Sequence, residues 1–350
     1  MYEVTIAIPL FNAEQYLNKT MSTALAQTFS SIEFLIIDDQ STDGSLEIIR
    51  QLQQEHPRGK DIRIFYQKKN KGVAEARNAA IREATGKYLF FLDSDDLITP
   101  ECIDLLYRAI EQEQVEVAIA SHEHVYTDTE KVIRFQLPSL VGHTPDQLAS
   151  LRFGELHHVL GFYIWNILYR ISFIRDKGLK FKPLHIGEDF VFMYDIIPEI
   201  KSFILLSEVT YSYIRRPNSL SQHGKRQIIP LSEIEEQVFI RTYGKKRFYE
   251  LKNKTYATDM VTNLMKYSFE AAAYIVSNQT IISPKLPHSL LRELLRHPLG
   301  LRETMKLRQH KVANLYYLGC SKLPYWIVST VLTCFLQILK ISWKLRDMIH

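Results

Sequence analysis

Leu89-Phe90-Phe91-Leu92-Asp93-Ser94-Asp95-Asp96 sets an apolar run directly against three carboxylates. Like charges packed this closely at the end of a buried strand are costly unless a cation joins them. Hard divalent cations take oxygen ligands, so a metal would relieve the repulsion. An acidic turn before the helix that starts near Pro100 would read the same way in isolation. The segments upstream favour the metal, and with it chemistry on a diphosphate.

Working outward, Val4-Thr5-Ile6-Ala7-Ile8-Pro9 is a β-branched run stopped by proline. Leu17, Met21, Ala24 and Leu25 then recur at helical spacing after Asn12. Ile32 to Ile37 repeats the opening pattern, an apolar strand ending in Asp38 and Asp39, with Thr42-Asp43-Gly44-Ser45 as the turn into a helix. Arg63–Tyr66, Lys87–Leu92 and Val115–Ser121 read as further strands, and Val73–Ala84 and Glu101–Glu113 as helices. Strands alternating with helices predict an α/β fold with a mostly parallel sheet covered on both faces. Ligands bind such sheets at the carboxyl ends of strands, where both acidic clusters lie. Phosphate-binding loops of the Gly-x-x-x-x-Gly-Lys and Gly-x-Gly-x-x-Gly types are absent. A receiver domain would want its paired acids after the first strand, where Pro9-Leu10-Phe11-Asn12 stands instead.

Four segments, in order and spacing, resemble the family 2 glycosyltransferases of the GT-A nucleotide-diphospho-sugar transferase fold. They are Ile8-Pro9-Leu10-Phe11-Asn12-Ala13-Glu14, Asp38-Asp39-Gln40-Ser41-Thr42-Asp43-Gly44-Ser45, Asn70 to Asn78, and the Asp-x-Asp stretch Phe91 to Asp96. Trp165-Asn166-Ile167-Leu168-Tyr169-Arg170, Gly187-Glu188-Asp189, Tyr211 to Arg216 and Ser219-Leu220-Ser221 resemble later elements of polysaccharide-building members. The resemblance ends near residue 225.

The resemblance implies an inverting transfer of a sugar from a nucleotide diphosphate, UDP-linked by preference, to a hydroxyl of a glycan or lipid-linked oligosaccharide. Asp39 would accept from the base, with Pro9 and Phe11 beside it and Arg77 near the phosphates or ribose. The lesser reading of Arg77 is a surface pair with Glu75 or Asp43. Asp95, with Asp93 and Asp96, would hold Mn²⁺ or Mg²⁺. Asp189 would be the general base and Glu188 its positioning partner, or the pair would cap the helix expected over Phe190–Ile197. Trp165 would stack on an acceptor sugar or fill the core. Arg215 and Arg216 would clamp the diphosphate or be surface charges, and His223 reads first as a solvated loop histidine near Lys225 and Arg226, with completion of the phosphate or metal site as its other role. A polyprenyl-phosphate acceptor, which needs no base, and a non-catalytic glycan- or nucleotide-binding scaffold remain alternatives.

The 46% hydrophobic composition without low-complexity runs is that of a globular protein large enough for an added subdomain. Cys102, Cys320 and Cys334 have no metal or redox spacing, which suggests a reducing compartment. No signal peptide is expected, since the N-terminus enters a strand at once. Residues 1–210 carry 21 basic and 30 acidic side chains, and residues 211–350 carry 22 and 9. The basic part has no base-reading motif, so a nucleic-acid partner is not expected. Leu323–Leu339 is uncharged, with Trp326 and Trp343 near its ends and Lys322, Lys340, Lys344 and Arg346 flanking it. This predicts a cytoplasmic protein attached to the inner membrane face through its C-terminus, with a buried helix as the other reading. Tyr243–Arg247 adds a basic patch. The expected organisation is a catalytic domain over 1–225 (a nucleotide half to 120, an acceptor half from 121), a helical subdomain over 226–320, and a membrane-associating helix over 321–350.

Overall fold

The computed structural model describes residues 2–216, 228–324, 326–332 and 334. The chain divides into two compact units, residues 1–223 and 224–350.

In the first unit β1 (Val4–Leu10), α1 (Glu14–Leu25), β2 (Ile32–Asp38), α2 (Ser45–Glu55), β3 (Ile62–Tyr66), α3 (Val73–Glu83) and β4 (Tyr88–Phe91) alternate as the periodicity predicts. There follow β5 (Leu97–Ile98), α4 (Cys102–Glu113), β6 (Val117–Tyr126), β7 (Val132–Phe135), β8 (Leu140–Gly142), α5 (Gln147–Phe153), β9 (Ile167–Arg170), α6 (Ile171–Asp176), α7 (Glu188–Ile196) and β10 (Phe203–Arg215). The strand order is β3-β2-β1-β4-β9-β6-β10-β5, with β7 on β6 and β8 on β10.

β1 pairs in parallel with β2 and β4, and β2 with β3. Every residue of β1 and β2 is buried, as a strand covered on both faces requires. α1 turns Leu17, Met21, Ala24 and Leu25 inward. β9 lies antiparallel between β4 and β6, and β10 runs parallel to β6. The reversed strand therefore restores direction, so that β1–β4, β6 and β10 end at one edge. That edge receives both acidic clusters and the Arg215-Arg216 pair.

The second unit contains β11 (Ile229–Pro230), α8 (Leu231–Leu251), α9 (Ala257–Ser277), β12 (Ile282–Ser283), α10 (His288–Leu295), α11 (Leu301–Met305) and α12 (Lys311–Cys320). α9 is its core helix and buries Met260, Val261, Leu264, Met265, Phe269 and Val276 among others. Among the described residues no helix is long and apolar enough to cross a membrane. Ser219-Leu220-Ser221, His223 and residues 335–350, with the end of the C-terminal apolar segment and the basic flank that follows it, lie outside the described residues.

Candidate active site

The end of β2 is built from hydrogen bonds. Asp39 is buried, and its carboxylate accepts from the Gln67 amide at 2.8 Å, the Lys71 N–H at 2.8 Å and the Gly72 N–H at 2.7 Å. The last two donors belong to the N-terminal edge of α3, where φ of 81° at Gly72 aims the backbone inward. An ionised carboxylate has about four acceptor positions, so one remains open. Asp38 accepts from the Ser41 N–H at 3.0 Å and closes the turn. Asn12, Ala13 and Glu14 are tied to Ser41–Ser45 by bonds that include Thr42 N–H to Asn12 Oδ1 at 2.8 Å and Glu14 N–H to Asp43 at 3.1 Å. Burial works against the charge of Asp43, but bonds from Ser45 and Glu14 outweigh it and hold the carboxyl below its usual range. Phe11 stands beside this loop with half its surface open, while Pro9 is buried in β1.

The end of β4 is built from ion pairs. Arg77, on α3, is buried and donates to Asp93 at 2.9 Å and to Glu188. It is neither a surface pair with Glu75 nor an open phosphate ligand: Glu75 is engaged by Arg82. Its neighbour Asn78 grips the backbone of Phe181, accepting from the Phe181 N–H at 2.8 Å and donating to its carbonyl at 3.0 Å. α3 thus carries both the donors for Asp39 and the connection to the segment leading into α7. Burial opposes the Arg77 charge, but Asp93, Glu188 and Asp189 more than compensate and hold the guanidinium protonated.

Asp189 lies in the first turn of α7 and accepts from its own neighbour, the Phe190 N–H at 2.8 Å. Burial, then the charge of Glu188, push its carboxyl up to about 8 against the opposing pull of Arg77. Neither acid serves as the helix cap: that position is Gly187, in the left-handed region at φ 70°.

Asp95 is the most exposed carboxylate of its cluster and pairs with Arg216, whose guanidinium also lies 3.7 Å over the Tyr16 ring. Asp96 is fully buried and accepts from Tyr211 Oη at 2.7 Å and the Ile214 N–H at 2.8 Å. Burial, then the charge of Asp93, push its carboxyl well above the ordinary range. The expected trio is therefore divided, with Asp93 and Asp95 partly exposed and paired to arginines while Asp96 anchors β10 to the Asp-x-Asp turn. Among the described residues no group of three His, Cys, Asp or Glu side chains is arranged to hold a metal ion. Arg215 turns away from Asp95 and lies 5.3 Å over the Tyr126 ring, as alternation along β10 dictates.

Trp165 corrects an expectation. It is 7% exposed, stacking on Tyr163 at 4.1 Å and on Tyr211 at 4.5 Å, with His122 edge-on at 4.9 Å. Its stacking partners are protein rings, and no sugar face is presented. Burial pushes His122 down to about 3, so it joins this cluster as a neutral ring. Gln67 and Tyr16 also touch these clusters, and the sequence reading gave neither a role; Asn78 stood in the quoted Asn70–Asn78 segment, without a role of its own.

The model of glycosyl transferase family 2 matches residues 5–179. The chain belongs to that family, and its first unit has the GT-A fold. It is 27% identical over 227 residues to glycosyltransferase GlyA of Streptococcus pneumoniae, a match covering 63% of this chain. The chain spans about a third (32%) of GlyA's length. The crystal structure of S. aureus TarS 1–349 in complex with UDP-GlcNAc superimposes with a TM-score of 0.66 at 15% identity, covering 91% of this chain and 90% of that one. The mannosyltransferase PcManGT of Pyrobaculum calidifontis, solved with GDP-Man and Mn²⁺, superimposes with a TM-score of 0.51 at 14% identity over 92% of this chain and 89% of that one.

Proposed function

We propose that the chain is an inverting, metal-dependent glycosyltransferase that moves a sugar from a UDP-linked donor to a hydroxyl of a glycan or lipid-linked oligosaccharide. One observation carries this reading: Arg77 joins Asp93, at the end of β4, to Glu188, beside the proton-avid Asp189. A candidate base is thereby held next to the Asp-x-Asp turn. The family membership, the UDP-GlcNAc bound by TarS and the Mn²⁺ of PcManGT support the same reading.

The residues fit a divalent cation by their chemistry. Asp93, Asp95, Asp96, Glu188 and Asp189 stand against two guanidiniums, Arg77 and Arg216, and burial first, then the neighbouring negative charge, raises the carboxyls of Asp96 and Asp189. Asp95, assisted by Asp93, would hold Mn²⁺ or Mg²⁺ through oxygen, with diphosphate oxygens completing the shell. When bound, the ion supplies Lewis-acid stabilisation to the departing diphosphate. The chain's own groups do the rest. Asp39 uses its open acceptor position for a uracil N–H, and Phe11 lies against the base. Arg216, released from Asp95, follows the phosphates. Asp189 takes the proton of the acceptor hydroxyl on the face opposite the leaving group and becomes neutral, the negative charge departs on the nucleoside diphosphate, and Arg77 fixes Glu188 beside the base.

The test is binding and slow hydrolysis of a UDP-sugar panel, with and without Mn²⁺, by wild type and Asp95→Ala. Metal-dependent binding of one sugar, lost in the variant, is expected. Absence of binding to UDP-, GDP-, dTDP- and CMP-linked donors alike would leave the scaffold reading standing.

A further inference from the structure

α11 and α12 leave apolar side chains in water in a repeated pattern. Leu301 (63% exposed) and Met305 are four residues apart on α11, and Val312 (82%) and Tyr316 are four apart on α12. That spacing puts each pair on one helix face. Leu323 and Trp326 (70%) continue the series. The inward positions are already filled. Thr304, Asn314, Tyr317, Leu318 and Cys320 are buried, and Asn314 donates to Thr262 at 2.8 Å and to the His310 carbonyl at 3.0 Å. The outward apolar residues are therefore not needed to close the core. Single exposed apolar residues are ordinary, but six within residues 301–326 point to something that covers them.

The surrounding charge says what that is. Arg302, Lys306, Arg308 and Lys322 are all exposed. The acidic side chain within residues 301–326, Glu303, turns its carboxylate onto the Gly300 N–H at 2.8 Å. We propose that residues 301–326 form the surface by which this chain docks on an anionic lipid bilayer. The apolar side chains enter the headgroup boundary and the lysines and arginines meet lipid phosphates, with the helices lying in the interface. A second copy would set these cations against themselves. The chain's own C-terminal stretch after Cys334 would do the same, because it carries Lys340, Lys344 and Arg346 against Asp347. The inference extends the lipid-linked acceptor reading, but it rests on the second unit alone and its test requires no catalysis.

The experiment is sedimentation of the full chain with vesicles of phosphatidylcholine alone or rich in phosphatidylglycerol, at low and high salt. Wild type is compared with Leu301→Asp/Val312→Asp and with Lys306→Glu/Lys322→Glu. All four positions are exposed, and an unchanged Tm verifies the fold. Wild type should bind the anionic vesicles and not the neutral ones. The aspartate pair should weaken binding at least about tenfold, since it replaces two apolar anchors with charges that the lipid phosphates repel. The glutamate pair should weaken binding and flatten its salt dependence. UDP-sugar hydrolysis should be the same in all three proteins. Failure of wild type to bind, full binding by the aspartate pair, or a wild-type dimer that the aspartate pair dissolves would each overturn the proposal. Donor hydrolysis, measured alongside, reports separately on the transferase reading.

Discussion

At the end of β2, Asp39 is held by one amide and two backbone N–H groups, while at the end of β4, Asp93 and Asp95 are held by arginines. The difference divides the labour of the site. Backbone donors belong to fixed peptide planes and cannot leave, so the first cluster is a rigid floor. Arg216 holds the partly exposed Asp95 from a flexible stem and can exchange that carboxylate for a phosphate, so this side of the second cluster can rearrange as charge arrives. The acids with the strongest hold on protons, Asp96 and Asp189, both belong to the second group.

Asp189→Asn breaks the comparison at its most sensitive point. If Asp189 is the base, transfer should fall ~10²–10⁴-fold, whereas an acceptor that is already a phosphate would leave the rate nearly intact. In wild type the rate should climb with pH through about 8, because the base must be ionised. Stability should move the other way. The folded-state carboxyl titrates near 8, above the ordinary value near 4, so its stabilising contribution is complete below about pH 4 and is lost as pH rises through 8. The asparagine should therefore raise Tm relative to wild type at pH 8 and leave the two proteins closer at pH 4. Thermal melts at both pH values, beside initial rates, check the pair of outcomes.

Much of this division was legible before the structure. Apolar runs ending in acids located β2 and β4, and the parallel topology put their ends on one edge. Gln67 could have been found by the same rule, since it directly follows β3. What the sequence hid was direction and distance. β9 is four residues long, and nothing in Ile167–Arg170 shows that it runs antiparallel. Arg77 meets Glu188 across 111 positions, and a long side chain can satisfy several partners at the same helix position. An aromatic residue such as Trp165 reads alike whether it packs on Tyr163 and Tyr211 or on a sugar. Asp96 belongs to the Asp-x-Asp pattern, yet burial and Tyr211 give it a structural post.

Asp39→Asn tests the rigid cluster. The amide presents an N–H₂ toward donors and leaves at least one buried N–H without its acceptor, at a cost of about 1–3 kcal/mol. Tm should fall and UDP affinity should weaken together, in contrast to Asp189→Asn, which loses activity while gaining stability. Calorimetric titration with UDP and a melt on the same sample are sufficient. A variant with wild-type Tm would show that the three bonds at Asp39 do not organise the floor.

Arg216→Gln sharpens the other half with the smallest effect. Arg216 occupies Asp95 while resting on Tyr16, so in the nucleotide-free chain it competes with any cation for that carboxylate. A partly exposed ion pair contributes roughly 0.2–1 kcal/mol. Its removal should tighten Mn²⁺ binding without nucleotide by up to about fivefold, read by titration calorimetry or by the loss of the free-ion resonance signal. The same variant should bind UDP-sugar more weakly in the presence of Mn²⁺, because the phosphates lose a guanidinium. Opposite signs for the two ligands would mark Arg216 as a group exchanged between carboxylate and diphosphate. Losses for both would make it a fixed strut and place the second cluster in the same rigid category as the first.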